Sequence, residues 1–155
     1  MTAFLLSVHI LASIVFIGPV TVAASMFPRY ARAALEGGPG PRAAVGVLYR
    51  ISRVYAVLGL AVPAFGVATG AQMDVLSEPW LLVSMALTAV AALILLLRVL
   101  PGQEAVIRAL DADDPPPPAM ARVVARLGMS SGLFALTWAV VVVLMITRPG
   151  STTGV

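Results

Sequence analysis

Residues 79–97 read PWLLVSMALTAVAALILLL, an uncharged run bounded by Glu78 and Arg98. As a helix rising 1.5 Å per residue, it nearly covers the roughly 30 Å of hydrocarbon in a bilayer. Three more uncharged runs surround it in the chain. Met1 to Pro28 has His9 as its only ionisable side chain, Val54 to Met73 lies between Arg53 and Asp74, and Leu127 to Thr147 lies between Arg126 and Arg148. The spans are expected at about 3–26, 54–73, 79–98 and 127–147. Helix is the expected form, because an open strand in lipid leaves its backbone groups unpaired. The short alternating segments of a membrane barrel do not occur. The fold class is therefore all-α: a polytopic four-transmembrane-helix bundle in a single domain, with short cytoplasmic helices.

The composition agrees. Of 155 residues, 60% are hydrophobic and 11% charged, whereas a soluble domain is about 25% charged. So few charges cannot coat a water-facing surface, which excludes a soluble enzyme. It also excludes a nucleic-acid-binding module despite a pI near 10.2. With no cysteine, disulfides, thiolate nucleophiles, Cys-ligated zinc and iron–sulfur clusters are excluded. The first run is long for a signal peptide's apolar region and lacks a basic start, so it reads as a retained helix, although Thr21-Val22-Ala23 imitates a cleavage site.

Charge gives the orientation. Arg29, Arg32, Arg42, Arg50 and Arg53 border or fill the connection between the first two spans, and Arg98, Arg108, Arg122 and Arg126 that between the last two. The link from Asp74 to Glu78 has no base, and the tail has only Arg148. The positive-inside tendency puts both longer loops in the cytoplasm and both termini outside a bacterial inner membrane. Trp80 suits an outer aromatic anchor, and Tyr30, Tyr49 and Tyr55 suit the cytoplasmic interface. Anionic lipid headgroups are the expected partners of the basic loops.

Those loops carry structure of their own. Glu36 to Pro41 is a breaker cluster, after which Arg42 to Arg53 is expected to run as a helix into the second span. Gln103 to Leu110 is expected as a short helix. Asp111, Asp113 and Asp114 read as a solvated turn, and Pro115 to Pro118 as a stiff spacer.

Small residues point to close helix packing, since hydrophobicity alone does not draw helices together in lipid. Gly59, Gly66 and Gly70 mark a face of the second span, and Gly128 and Gly132 one of the fourth. Ser84, Thr88 and Ala92 line up on the third. These faces serve the bundle itself, a partner membrane subunit or a homo-oligomer. Pro19 and Pro63 should kink their helices, freeing the carbonyls of Val15 and Gly59.

His9 is the single feature with chemical potential, an ionisable group inside a span. Ser13 lies one turn further in, able to bond the imidazole or line the same cavity. Met85 falls at a similar depth on the third span, and His/Met is an axial pair for haem iron. The structural reading of His9 is a neutral ring bonded to a neighbouring hydroxyl or carbonyl. No Asp, Glu, Lys or Arg lies inside a span, Arg98 standing at the very end of the third, which argues against a pump or channel.

The residues His9 to Ala12 followed by Ile14 to Gly18 resemble the first-helix signature of a broad group of bacterial four-helix membrane proteins. The group includes haem-dependent protoporphyrinogen oxidases, the copper-resistance D membrane domain and an uncharacterised family of predicted integral membrane proteins. Arg50 to Gly70, Pro79 to Arg98 and Arg126 to Arg148 are similar to the remaining helices. Phe16 stands where the signature has tryptophan, and Ser84 where the oxidases carry lysine, so the chain fits the uncharacterised family best. The resemblance implies the four-helix fold and carries over His9 as a haem or tetrapyrrole contact. The leading expectation is a small non-catalytic accessory or scaffold subunit of a membrane complex; the alternative is a haem- or quinone-associated redox protein using His9.

Overall fold

The computed structural model describes residues 2–112 and 115–150. Four helices make up nearly all of it: α1 (Thr2–Leu35), α2 (Pro39–Gln72), α3 (Pro79–Asp111) and α4 (Met120–Thr147). Each is long and apolar enough to cross a bilayer, and no strand occurs among the described residues. With 34, 34 and 33 residues, α1 to α3 measure about 50 Å, so each outruns the hydrocarbon core by about 20 Å. The excess lies at the arginine-rich end. Arg42 to Arg53 belongs to α2, as expected, but Gln103 to Leu110 is the far end of α3 rather than a separate helix. Asp113 and Asp114 of the acidic turn lie outside the described residues; Pro115 to Pro118 are exposed.

The turns are short because the backbone closes them tightly. The breaker cluster reduces to Glu36 to Gly38, with Pro39 already inside α2. Gly37 adopts φ +96°, Gly37 N–H bonds the Ala34 carbonyl, and Gly38 N–H bonds that of Ala33. This pattern caps α1 by satisfying its last carbonyls. Asp74, at φ 56°, ends α2 in the same way, with Val75 N–H on the Gly70 carbonyl. Aspartate is among the few residues that tolerate this conformation.

Three prolines shape the helix interiors. A proline has no N–H for the carbonyl four residues earlier. For Pro19 that carbonyl is Val15, and a π turn occupies Ser13–Ile17. For Pro101 it is Leu97, and a second π turn occupies Leu95–Val99. For Pro63 it is Gly59, where α2 breaks at Gly59–Leu60. There Val62 N–H reaches back to the Gly59 carbonyl at 3.0 Å, so the freed acceptor is taken up locally. Pro28 sits inside α1 without such an interruption.

Packing is uneven along the bundle. In the half that holds His9, α1 packs on α2 and α3 on α4, and contacts between these two pairs concentrate toward the arginine-rich end. One buried cluster there joins Ala23, Phe27, Val45, Leu48, Val106 and Val124. A second, deeper in the spans, joins Val20, Ala24, Ala56, Ala91, Leu95 and Phe134. Most span hydroxyls satisfy themselves: Ser13, Thr21, Thr69, Ser84, Thr88 and Thr137 each donate to the carbonyl four residues back, at 2.7–2.8 Å. This local bond removes them from interhelical bonding. Gln103 differs: buried, it donates from Nε2 to Ser52 Oγ at 3.2 Å, a polar tie between α3 and α2.

Replacing Gly37 by alanine forces a Cβ into the left-handed region. A loss of about 1–2 kcal/mol is expected, read as a lower thermal midpoint in detergent, while Gly40→Ala, in open space, leaves the midpoint unchanged.

Candidate functional site

His9 sits in the first part of α1, half-buried, and its ring lies on Gly66 of α2. A Cβ at position 66 would come within 2.9 Å of His9 Cε1 and 3.3 Å of Nδ1. Only glycine lets the imidazole approach this closely. Nδ1 is 2.9 Å from the Val62 carbonyl oxygen. A carbonyl can only accept, so Nδ1 carries the proton, and in the neutral ring Nε2 holds the lone pair. The contact is an interhelical hydrogen bond in an apolar setting, worth about 0.6–2 kcal/mol.

Ser13 takes no part in it. Its hydroxyl donates to His9's own backbone carbonyl at 2.8 Å, so the expected bond to the imidazole is replaced by a bond within α1. Met85 stands on α3, 39% exposed, whereas the ring packs on α2. Among the described residues, no group of three or more His, Asp or Glu side chains could hold a metal ion.

The glycines divide into two sets. Gly59, Gly66 and Gly70 face neighbours within the chain: a Cβ at Gly59 would meet Ile17 Cδ1 of α1 at 3.4 Å, and one at Gly70 would meet Leu76 and Leu81 at 3.0–3.1 Å. Gly128 and Gly132 face open space, with nothing within 4 Å of a Cβ at either position. Around them Met129 is 75% and Leu136 63% exposed.

Charge forms a collar. All nine arginines from Arg29 to Arg126 are exposed, at the end away from His9. Arg42 pairs with Asp111 at 3.1 Å, joining α2 to the end of α3, and Arg108 pairs with Glu104 at 3.4 Å. Exposed pairs of this kind add little stability, so the collar is a charged surface more than a clamp. Trp80 is buried rather than displayed as an interfacial anchor: the Arg148 guanidinium lies 5.5 Å from its ring centre. Arg148, at φ 42°, ends α4 over the start of α3, and this seats the indole beneath it.

Two features escaped the sequence reading. Pro101 was a signal for the α3 irregularity, by the same rule applied to Pro19 and Pro63. Trp138 was another, since tryptophan favours membrane interfaces and this one lies midway along its span.

A family model described as "Predicted integral membrane protein (DUF2269)" matches residues 3–149, and the chain belongs to that family. No curated protein and no solved structure matches the chain.

The seat of His9 makes a sharp contrast testable. Gly66→Ala should displace the ring from the Val62 carbonyl and cost about 1–3 kcal/mol, seen as a lower unfolding midpoint in detergent. Gly128→Ala and Gly132→Ala, with free space at both sites, should leave that midpoint within about 0.5 kcal/mol of the parent.

Proposed function

We propose that this member of the DUF2269 family is a small non-catalytic accessory or scaffold subunit, offering the outer face of α4 to a partner helix. The observation that carries the reading is the division of the glycines. Gly59, Gly66 and Gly70 are used inside the chain, while Gly128 and Gly132 lie open on a face otherwise covered by large apolar side chains. In lipid, small residues at four-residue spacing let a second helix approach closely. The partner is a helix of another membrane subunit or of a second copy. The collar of nine exposed arginines supports contact with anionic headgroups, and by the positive-inside tendency it lies in the cytoplasm with both termini outside. The setting is a bacterial inner membrane.

A second reading rests on His9. The Val62 carbonyl fixes the imidazole tautomer and leaves Nε2 as the lone-pair nitrogen, the way a ligating histidine is normally held. This fits one axial bond to a haem. The likeness of the first helix to the haem-dependent oxidases and the copper-resistance D membrane domain points the same way.

Leucine at both positions 128 and 132 should release the partner from protein purified in mild detergent, with helicity retained. Co-purification, or a dimer in sedimentation, that survives this double substitution would refute the docking face. Protein expressed with ample haem should be colourless; a Soret band lost in His9→Ala would transfer support to the second reading. For topology, a cysteine at Gln72 should react with an impermeant reagent added outside and one at Pro116 should not, the reverse pattern inverting the orientation.

A further inference from the structure

Pro115 to Pro118 stand exposed in the connection between α3 and α4. The pyrrolidine ring locks φ at each of them. Pro115, Pro116 and Pro117 also precede a proline, which pushes their ψ into the extended range. The run is therefore a short, rigid polyproline rod, rising about 3.1 Å per residue. It has no N–H to offer, only carbonyls. Among the described residues the Pro117 carbonyl accepts from Met120 N–H at 2.8 Å, while those of Pro115 and Pro116 accept no backbone bond.

The connection does not need such a rod. Neighbouring antiparallel helices are joined by about 2–5 residues, and three suffice between α1 and α2, Glu36 to Gly38. The link from α3 to α4 has eight, Ala112 to Ala119. Distance does not force that length. Val106 and Val124 share one buried cluster, on which Leu110 and Met120 also pack, so the two helix ends already lie side by side. One proline is enough to stop a helix. Four in a row exceed what a stop or a spacer requires.

The surroundings select the partner. Asp111, just before the run, is thirteen residues past Arg98, about 20 Å along the helix. Headgroups extend only about 5–7 Å beyond the hydrocarbon, so the rod meets water and not lipid. Proline rings pack on aromatic side chains, the way polyproline segments are recognised. Tyrosine hydroxyls or indole N–H groups in such a groove can reach the free carbonyls. Nine exposed arginines stand at this end, Arg122 four residues from Pro118, against five acids: Glu36, Glu104, Asp111, Asp113 and Asp114. A carboxylate rim complements that excess.

We propose that Pro115–Pro118 is a docking ligand for a water-soluble protein with an aromatic-lined groove and an acidic rim, bound at the arginine-rich face. The contact goes beyond the α4 face and does not depend on it.

The test uses the full chain in membranes of its own host, with the photo-crosslinker benzoylphenylalanine at Ala119 and decaproline as the competing probe. Light should give one discrete protein adduct, joined beside a tyrosine or tryptophan by mass spectrometry. Decaproline should erase the adduct, and a glycine–serine decamer should not. Added salt should weaken it, by screening the arginines. Pro116→Ala with Pro117→Ala should also erase it while the helical spectrum is kept. If that variant fails to fold, the decaproline competition on the parent sequence still decides. Gly128→Leu with Gly132→Leu should keep the adduct. No adduct, or adducts with lipid alone, overturns the proposal. So does an adduct that survives decaproline or the paired alanines. Loss in the leucine variant would assign the contact to the intramembrane partner and overturn it too, and indifference to salt would overturn the acidic rim.

Discussion

The missing N–H of proline, placed where no water can replace it, sets the shape of this molecule. Every backbone carbonyl in hydrocarbon needs a partner from the protein. Pro19, Pro63 and Pro101 each deny one to the residue four positions earlier, and the chain answers within a turn. Two helices widen into π turns at Ser13–Ile17 and Leu95–Val99, and the other breaks at Gly59–Leu60. These adjustments fall at a common level, and the character of the bundle changes there. Toward the arginines all four helices share buried clusters; toward His9 the structure is mainly two helix pairs.

The polar groups follow the same logic of local satisfaction. Most hydroxyls along the spans bond backward along their own helices, so those groups neither drive nor specify association. The few polar contacts that cross between helices stand out for that reason. His9 to the Val62 carbonyl ties α1 to α2 above the level of the irregular turns, and Gln103 to Ser52 ties α3 to α2 below it. Together with the glycine that seats the imidazole, the first contact sets the register of α1 against α2, and the second that of α3 against α2.

Much of this was legible in the sequence. Uncharged runs bounded by charge located the four spans, because a charge placed in hydrocarbon costs several kcal/mol. The irregular backbone beside Pro19 and Pro63 followed from proline's chemistry. The end of α3 was harder, since residues 99–111 are amphipathic and can equally form a separate helix after Pro101. The candidate site was legible as residues but not as partners. His9 stood out by type, yet its acceptor is a backbone carbonyl, and any residue at position 62 would supply one. Ser13 has the right spacing to reach an imidazole, but its own helix offers a nearer acceptor. The difference between Gly66 and Gly132 is likewise invisible in a small-residue pattern, because the motif says that a helix can be approached without saying by what.

The overhang of α1 to α3 has a mechanical consequence. About 20 Å of helix stands beyond the hydrocarbon at one end, encircled by guanidinium groups that resist being drawn inward. That end fixes how deep the protein floats. A bilayer that thins or thickens therefore cannot be matched by sliding the whole molecule. The accommodation falls on the opposite half, where fewer contacts hold the two pairs together. The molecule is braced at its waterline and more loosely joined in its draught, so a change of membrane thickness falls on the half that holds His9 and not on the charged rim.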